Sequence, residues 1–201
     1  MMGKTHLAVG LAAALAVAHP ATALHCLPAV MGGALGSVIC DIDNLRNKGK
    51  NDSIMIQLTA AALTAGMLAL DIAQGTGLWP RILRLGRDRL FVGCAAFVLL
   101  WIVGFLSNHR GFTHSIAAGA LFSQAVWTLC PPAATPFAAA YAAHIAVDLL
   151  NKKGLRLLWP MKGGVCFDLC YSDRTVNALL FELGLLGTAF LIANASGLHI
   201  I

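Results

Sequence analysis

Charge is what this chain has least of. Only 11% of its 201 residues are Asp, Glu, Lys or Arg, against roughly 25% in an average soluble domain. Hydrophobic residues make up 58%, and the mean hydropathy is +0.76. That balance excludes an ordinary soluble domain and implies an integral membrane protein. Other absences narrow the reading further. The six cysteines, Cys26, Cys40, Cys94, Cys130, Cys166 and Cys170, contain no CxxC pair, so they read as small buried hydrophobes. Cys166 and Cys170, the one close pair, are a weak pointer to metal or disulfide. No aromatic-and-basic pattern supports nucleic-acid binding, so the net charge of +5 points to anionic lipid headgroups instead. No small-residue cleavage motif follows the first apolar run, which is expected to stay as a helix. With no internal repeat, low-complexity tract or second soluble domain, residues 1–201 read as a single integral-membrane domain.

What the chain does have is seven apolar segments, at residues 7–24, 27–40, 54–72, 90–106, 115–130, 135–150 and 178–195. Several fall short of the ~20 residues a helix needs to cross the hydrocarbon core. The second, PAVMGGALGSVIC, carries four small positions, Gly32, Gly33, Gly36 and Ser37. It is either a tightly packed central helix or one that stops partway across. The expected fold is all-α, a polytopic transmembrane bundle of about five to seven membrane helices, with short or half-spanning helices around a metal site.

Alternation of sides makes this topology informative. If all seven segments cross, residues 1–5, 41–53, 107–114 and 151–175 share one side. That side holds ten of the fourteen Lys and Arg, Arg46, Lys48, Lys50 and Arg174 among them, and is expected to be cytoplasmic. Arg81, Arg84, Arg87 and Arg89 fall opposite. Either residues 79–90 lie flat in an interface as an amphipathic helix, or segments three and four form a non-crossing hairpin that returns these arginines to the cytoplasmic side.

On the cytoplasmic side the sequence places His6, Asp41 and Asp43, His109 and His114, and His144 with Asp148. His109 and His114 flank Gly111 in HRGFTHS, at a spacing that suits a loop folding both rings toward one point. His144 and Asp148 are i and i+4, on one helical face. Asp41 and Asp43 would share a direction in an extended stretch. Singly, each group has an ordinary reading as a helix cap or interfacial residue. Seven ionisable groups at helix ends on one side are better explained by a functional site. Mixed His and Asp donors suit zinc, and also manganese or iron. Seven exceed the needs of one tetrahedral zinc, so two or three divalent ions are expected, with Asp41 or Asp43 able to bridge them. Arg110, and Lys152, Lys153 and Arg156 nearby, could bind an anionic ester or serve as positive-inside anchors. His19, His25 and His199 fall on the other side, with Asp71 deep toward it.

At these residues the sequence resembles the family of membrane-bound, metal-dependent hydrolases that includes an SOS-regulated inner-membrane protein of enteric bacteria. The matching pieces are TH at Thr5 and His6, DID at residues 41–43, HRGFTHS at 109–115 and HIAVDLLNKKGLRLLWP at 144–160. The resemblance implies a multi-helix membrane protein with metal-binding His and Asp residues, and an HxxxD element similar to one in zinc-dependent phospholipases C. Three departures stand out. Asn44 replaces a usual histidine after DID, Asn151 and Lys152 stand where Thr-Pro is common, and Asn177, with Glu182 beyond it, occupies the place of a carboxylate.

Taken together, the chain is expected to be a membrane-embedded metal-dependent hydrolase of a bacterial or archaeal plasma (inner) membrane. It would cleave the phosphoester of a membrane lipid at the cytoplasmic face with a metal-activated water, in the manner of a phospholipase C or lipid phosphatase. His6, Asp41, Asp43, His109, His114, His144 and Asp148 would be the metal ligands. Arg110 would hold the phosphate, and Asp43 would accept the water's proton. The alternatives are a metal-ion transporter, or a metal-binding structural membrane protein without turnover.

Overall fold

In lipid, every backbone polar group must find its partner inside the chain, and long runs of Ala, Leu, Val and Ile do so as helices. The computed structural model describes residues 1–45, 51–171 and 175–197. Arg46, Lys48, Lys50, Arg174 and His199 lie outside the described residues. Among the described residues there are eight α-helices: α1 (Gly3–Ala18), α2 (Cys26–Val38), α3 (Asn51–Gln74), α4 (Leu78–Leu83), α5 (Arg87–Leu106), α6 (Ile116–Leu129), α7 (Pro131–Leu149) and α8 (Thr175–Ala195). Four segments are long and apolar enough to cross a membrane: Ala23–Asn44, Asp52–Gln74, Arg87–Leu106 and Thr175–Ala195. α1 and α6, with 16 and 14 residues, are short, as the sequence implied.

The four candidate spans differ in where they sit. The first is 72% buried inside the protein, whereas each of the other three is only 11% buried. α2 is therefore the centre of the bundle, and α3, α5 and α8 turn most of their surface outward. The small residues of PAVMGGALGSVIC explain this position. A Cβ at Gly32 or Gly36 would collide with the Ala133 or Phe137 carbonyl of α7, and one at Gly10 of α1 would collide with Ser37. Close backbone approach of this kind needs small side chains at the contact. Of the two readings of this segment, the tightly packed central helix is the one the structure adopts.

α2 continues into a 3-10 turn, Ile39–Asn44. The DID motif thus sits on a tightened helix end and not on the extended stretch expected for it. Residues two apart on a 3-10 turn point in different directions. Asp43 therefore turns into the protein while Asp41 keeps some exposure.

α3 begins beside this turn and carries Asp71 toward the far end. There Asp71 accepts hydrogen bonds from the Leu78 and Trp79 backbone N–H groups at 2.8 and 2.6 Å and from the Thr76 hydroxyl, tying the start of α4. Residues 79–90 do not form one amphipathic helix: α4 ends at Leu83 and α5 starts at Arg87. Arg89 donates to the Thr128 and Trp127 carbonyls at 3.2 and 3.3 Å, the C-terminal end of α6, where a cation meets unpaired carbonyls and the negative helix pole. Because α6 runs away from HRGFTHS, this contact keeps Arg89 at the far end. The hairpin that would return these arginines to the other side is not formed.

Candidate metal centre

The HRGFTHS loop is built to wrap a carboxylate. α5 ends at Leu106, Arg110 takes a left-handed backbone conformation with φ 62°, and a short 3-10 turn covers Phe112–His114. Gly111 lies against the Asn108 carbonyl oxygen, 2.7 Å from where a Cβ would stand, so no larger residue fits. Ser115 then starts α6, accepting from the Ala118 N–H at 3.1 Å while donating to the Phe112 carbonyl at 2.7 Å, as an N-cap serine does. Inside this loop sits Asp43. It receives His109 Nδ1 at 2.8 Å, the Arg110 N–H at 3.0 Å and the Thr113 hydroxyl at 2.7 Å, with His114 Nδ1 at 3.4 Å. Both histidine rings are thereby oriented, their centroids 5.6 Å apart.

The second half of the cluster comes from α7 and α1. His144 is fully buried, and its Nδ1 donates to the Ser37 carbonyl at 2.7 Å. That bond leaves Nε2 as the acceptor nitrogen. One helical turn on, Asp148 receives His6 Nε2 at 3.2 Å and the Met1 amino group at 2.7 Å on Oδ1, and Arg110 Nη2 at 3.2 Å on Oδ2. His6 stacks on His144 with centroids 3.8 Å apart. His114 Nε2 lies 3.9 Å from Asp41 Oδ1 and 3.7 Å from Asp148 Oδ2. Burial alone would pull the pKa of His114 down. The hydrogen bond with Asp43 and the charges of Asp43, Asp41 and Asp148 outweigh it, so the pKa lies above the ordinary histidine value.

Three imidazole nitrogens in this cluster are buried without a hydrogen-bond partner: His6 Nδ1, His114 Nε2 and His144 Nε2. Donor atoms also gather in three overlapping groups, His6, His144 and Asp148; Asp41, His114 and His144; and Asp41, Asp43 and His109. Within each group the atoms all lie within 4.8 Å of one another, which suits a small divalent ion. Beside the groups opens a cleft of about 760 Å³. Asp41, His109, Arg110 and Asp148 line it together with Lys4, Lys152 and Lys153 and the apolar Met2, Met55 and Ile56.

All seven residues singled out from the sequence thus meet at one end of the bundle, while His19 and His25 lie exposed at the other. Two residues given roles beyond metal binding also make contacts within the protein, and the Arg110 Nε is left buried without a hydrogen-bond partner. Asp43, the expected proton acceptor, already has both carboxylate oxygens engaged by donors. Arg110, the expected phosphate holder, donates to Asp148 Oδ2 through Nη2 and to the Lys153 carbonyl through Nη1; a buried carboxylate needs a countercharge. Asn44, at the departure from DIDH, donates to the Ser53 hydroxyl at 3.0 Å and joins the end of α2 to α3. Asn177 receives the Thr5 hydroxyl at 2.9 Å and the Met2 N–H at 3.1 Å, bracing α1 against α8, and Glu182 is exposed.

Four contributors escaped the sequence reading: the Ser37 carbonyl, the Thr113 hydroxyl, Asn177 as a brace, and Tyr141. The Tyr141 hydroxyl lies 2.7 and 2.8 Å from the Thr113 and Ser115 carbonyls and seats the loop on α7. The small-residue run of α2 was a signal for close packing at Ser37; the other three have none beyond residue type.

No curated protein and no solved structure matches the chain. A family model does, along residues 1–200, and by that match the chain belongs to the YdjM inner membrane protein family.

Proposed function

We propose that the protein is a membrane-embedded, metal-dependent hydrolase that cleaves a phosphoester of a lipid at the cytoplasmic face. The observation that carries this reading is the trio of unpartnered buried nitrogens on His6, His114 and His144. Each such atom costs roughly 1–3 kcal/mol when left without a partner, and lone pairs gathered beside Asp41 and Asp148 suit a cation. His144 has only Nε2 to offer, because Nδ1 is held by Ser37, so it serves one of its two groups at a time. The residues that would hold two ions are His6, His144 and Asp148 for one and Asp41 and His109 for the other, with His114 between the two groups and Asp43 behind His109 and His114 as their orienting partner. Bound zinc, or manganese or iron, supplies Lewis acidity and makes water nucleophilic near neutral pH.

The chain's own residues do the positioning. Asp43 sets the rings of His109 and His114, the Ser37 carbonyl sets His144, and Arg110 restrains Asp148. Such outer partners normally fix ligand orientation. Asp41 lines the cleft, and its side chain is 16% exposed, so it is placed to accept a proton from water there. Lys4, Lys152 and Lys153 offer ammonium groups to a phosphate, and the apolar Met2, Met55 and Ile56 suit the first carbons of a lipid tail. Transport is the weaker reading, because the donor groups gather at one end of the bundle and a permeation path needs polar groups across the membrane.

Purified protein is expected to hold about two divalent ions. His114→Ala and Asp148→Ala are expected to abolish both metal content and release of phosphate or headgroup from a phospholipid panel. Full activity in metal-free protein would overturn the proposal. Bound metal with no turnover of any lipid would leave a structural role in its place, and metal uptake into proteoliposomes would establish transport.

A further inference from the structure

Away from the metal centre, the segment between α7 and α8 presents an unusual surface. Leu158, Trp159, Met161, Val165, Phe167 and Leu169 are all exposed, Leu169 by 71% and Met161 by 66%. This exposure is not that of a loose loop. Leu155 and Val165 exchange two backbone hydrogen bonds of 2.9 Å, Phe167 N–H donates to the Leu149 carbonyl at 2.7 Å, and Leu169 N–H donates to the Leu150 carbonyl at 3.1 Å. The backbone is held against the end of α7 while its large apolar side chains stay outside.

The location and the charge identify what covers them. The segment joins α7 to α8, and the Leu157 carbonyl accepts from the N–H of Ile116, the first residue of α6. It therefore lies at the level where apolar helices end. Trp159 packs edge-on against Phe112 with ring centroids 5.2 Å apart, and Lys153, Arg156 and Lys162 stand exposed along the same segment. Tryptophan at the level where helices end, apolar side chains and basic residues together are the composition of a membrane-interface element, and the cations complement phosphate headgroups.

We infer that residues 155–169 lie in the boundary between headgroups and acyl chains of an anionic leaflet. The Arg156 N–H donates to the Arg110 carbonyl at 3.3 Å, so the segment is tied to the HRGFTHS loop and its depth in the leaflet sets the depth of the metal centre. This inference does not depend on the hydrolase reading.

The test uses the full chain in lipid nanodiscs, with Trp79, Trp101 and Trp127 replaced by Phe so that Trp159 alone reports. Its emission is expected to be blue-shifted, quenched by lipids brominated near the top of the acyl chain and protected from aqueous iodide. Changing Arg156 and Lys162 to Gln is expected to weaken preferential retention of anionic over zwitterionic lipid by about fivefold per charge. Water-like emission that iodide quenches and brominated lipid does not would overturn the inference. Unchanged lipid preference in the Gln variants would overturn its anionic part. If the Phe variant does not fold, the difference in quenching between the native protein and Trp159→Phe gives the same two outcomes.

Discussion

The two ends of the bundle handle polar side chains in different ways. At the far end, Asp71 closes the start of α4 and Arg89 closes the end of α6. Each is consumed by backbone groups that a helix terminus leaves without partners. At the near end Ser115 caps α6, while seven further ionisable residues crowd there and three of their nitrogens have no hydrogen-bond partner. Far-end polarity completes the fold, whereas near-end polarity exceeds what the fold requires. That surplus is what the proposed metal centre would use.

The comparison breaks first if metal fails to follow it. His144→Ala removes a nitrogen shared by two candidate donor groups, and metal analysis is expected to show loss of at least one ion with loss of hydrolysis. His25→Ala, at the exposed far end, is expected to retain both. Equal metal content in the two variants would erase the distinction between the ends.

A smaller effect separates holding a ligand from being one. Asp43→Asn keeps the size of the side chain but cannot accept from His109, the Arg110 N–H and Thr113 as a carboxylate does. Loss of an orienting partner typically weakens metal affinity by roughly 10–100-fold, and competition with a chelator would measure it. A larger loss, equal to that of His144→Ala, would make Asp43 an indispensable ligand.

Much of this arrangement was legible because alternation of crossings and helical spacing are one-dimensional signals. His144 and Asp148 follow from i and i+4, and the meeting of His6, Asp41, His109 and His144 follows from counting crossings. What was not legible depends on how helices dock. Ser37 matters through its carbonyl, which any residue would carry, and becomes important only because α2 and α7 approach closely enough for His144 to reach it. Asp43 and Asp41 diverge because α2 tightens into a 3-10 turn, and hydrophobic pattern does not report that tightening. Arg89 looked displaced in a count of charges, and its reason lay in two carbonyls some forty residues on.

The close approach of α2 and α7 gives the third prediction. Gly36→Ala places a methyl group against the Phe137 carbonyl, and overpacking of this kind costs about 1–3 kcal/mol. Unfolding in detergent would show it, and because the shift moves Ser37 relative to His144, metal affinity is expected to fall with stability. Lower stability with unchanged metal affinity would show that the centre does not rely on this packing.

The smallest effect tests the far end on its own terms. Arg89→Gln withdraws a cation from the α6 C-terminus, where such a charge contributes about 0.3–1 kcal/mol when exposed. The Trp127 and Thr128 carbonyls stay near the surface and find other donors, so the loss is expected to sit within that range in the same unfolding assay, and to shrink with added salt. Metal content and turnover are expected to stay at the native level, because among the described residues nothing at this end supplies a donor to the cluster. A change in metal content on Arg89→Gln would mean that the two ends are coupled through α6, and the division between an end that completes the fold and an end that exceeds it would no longer hold.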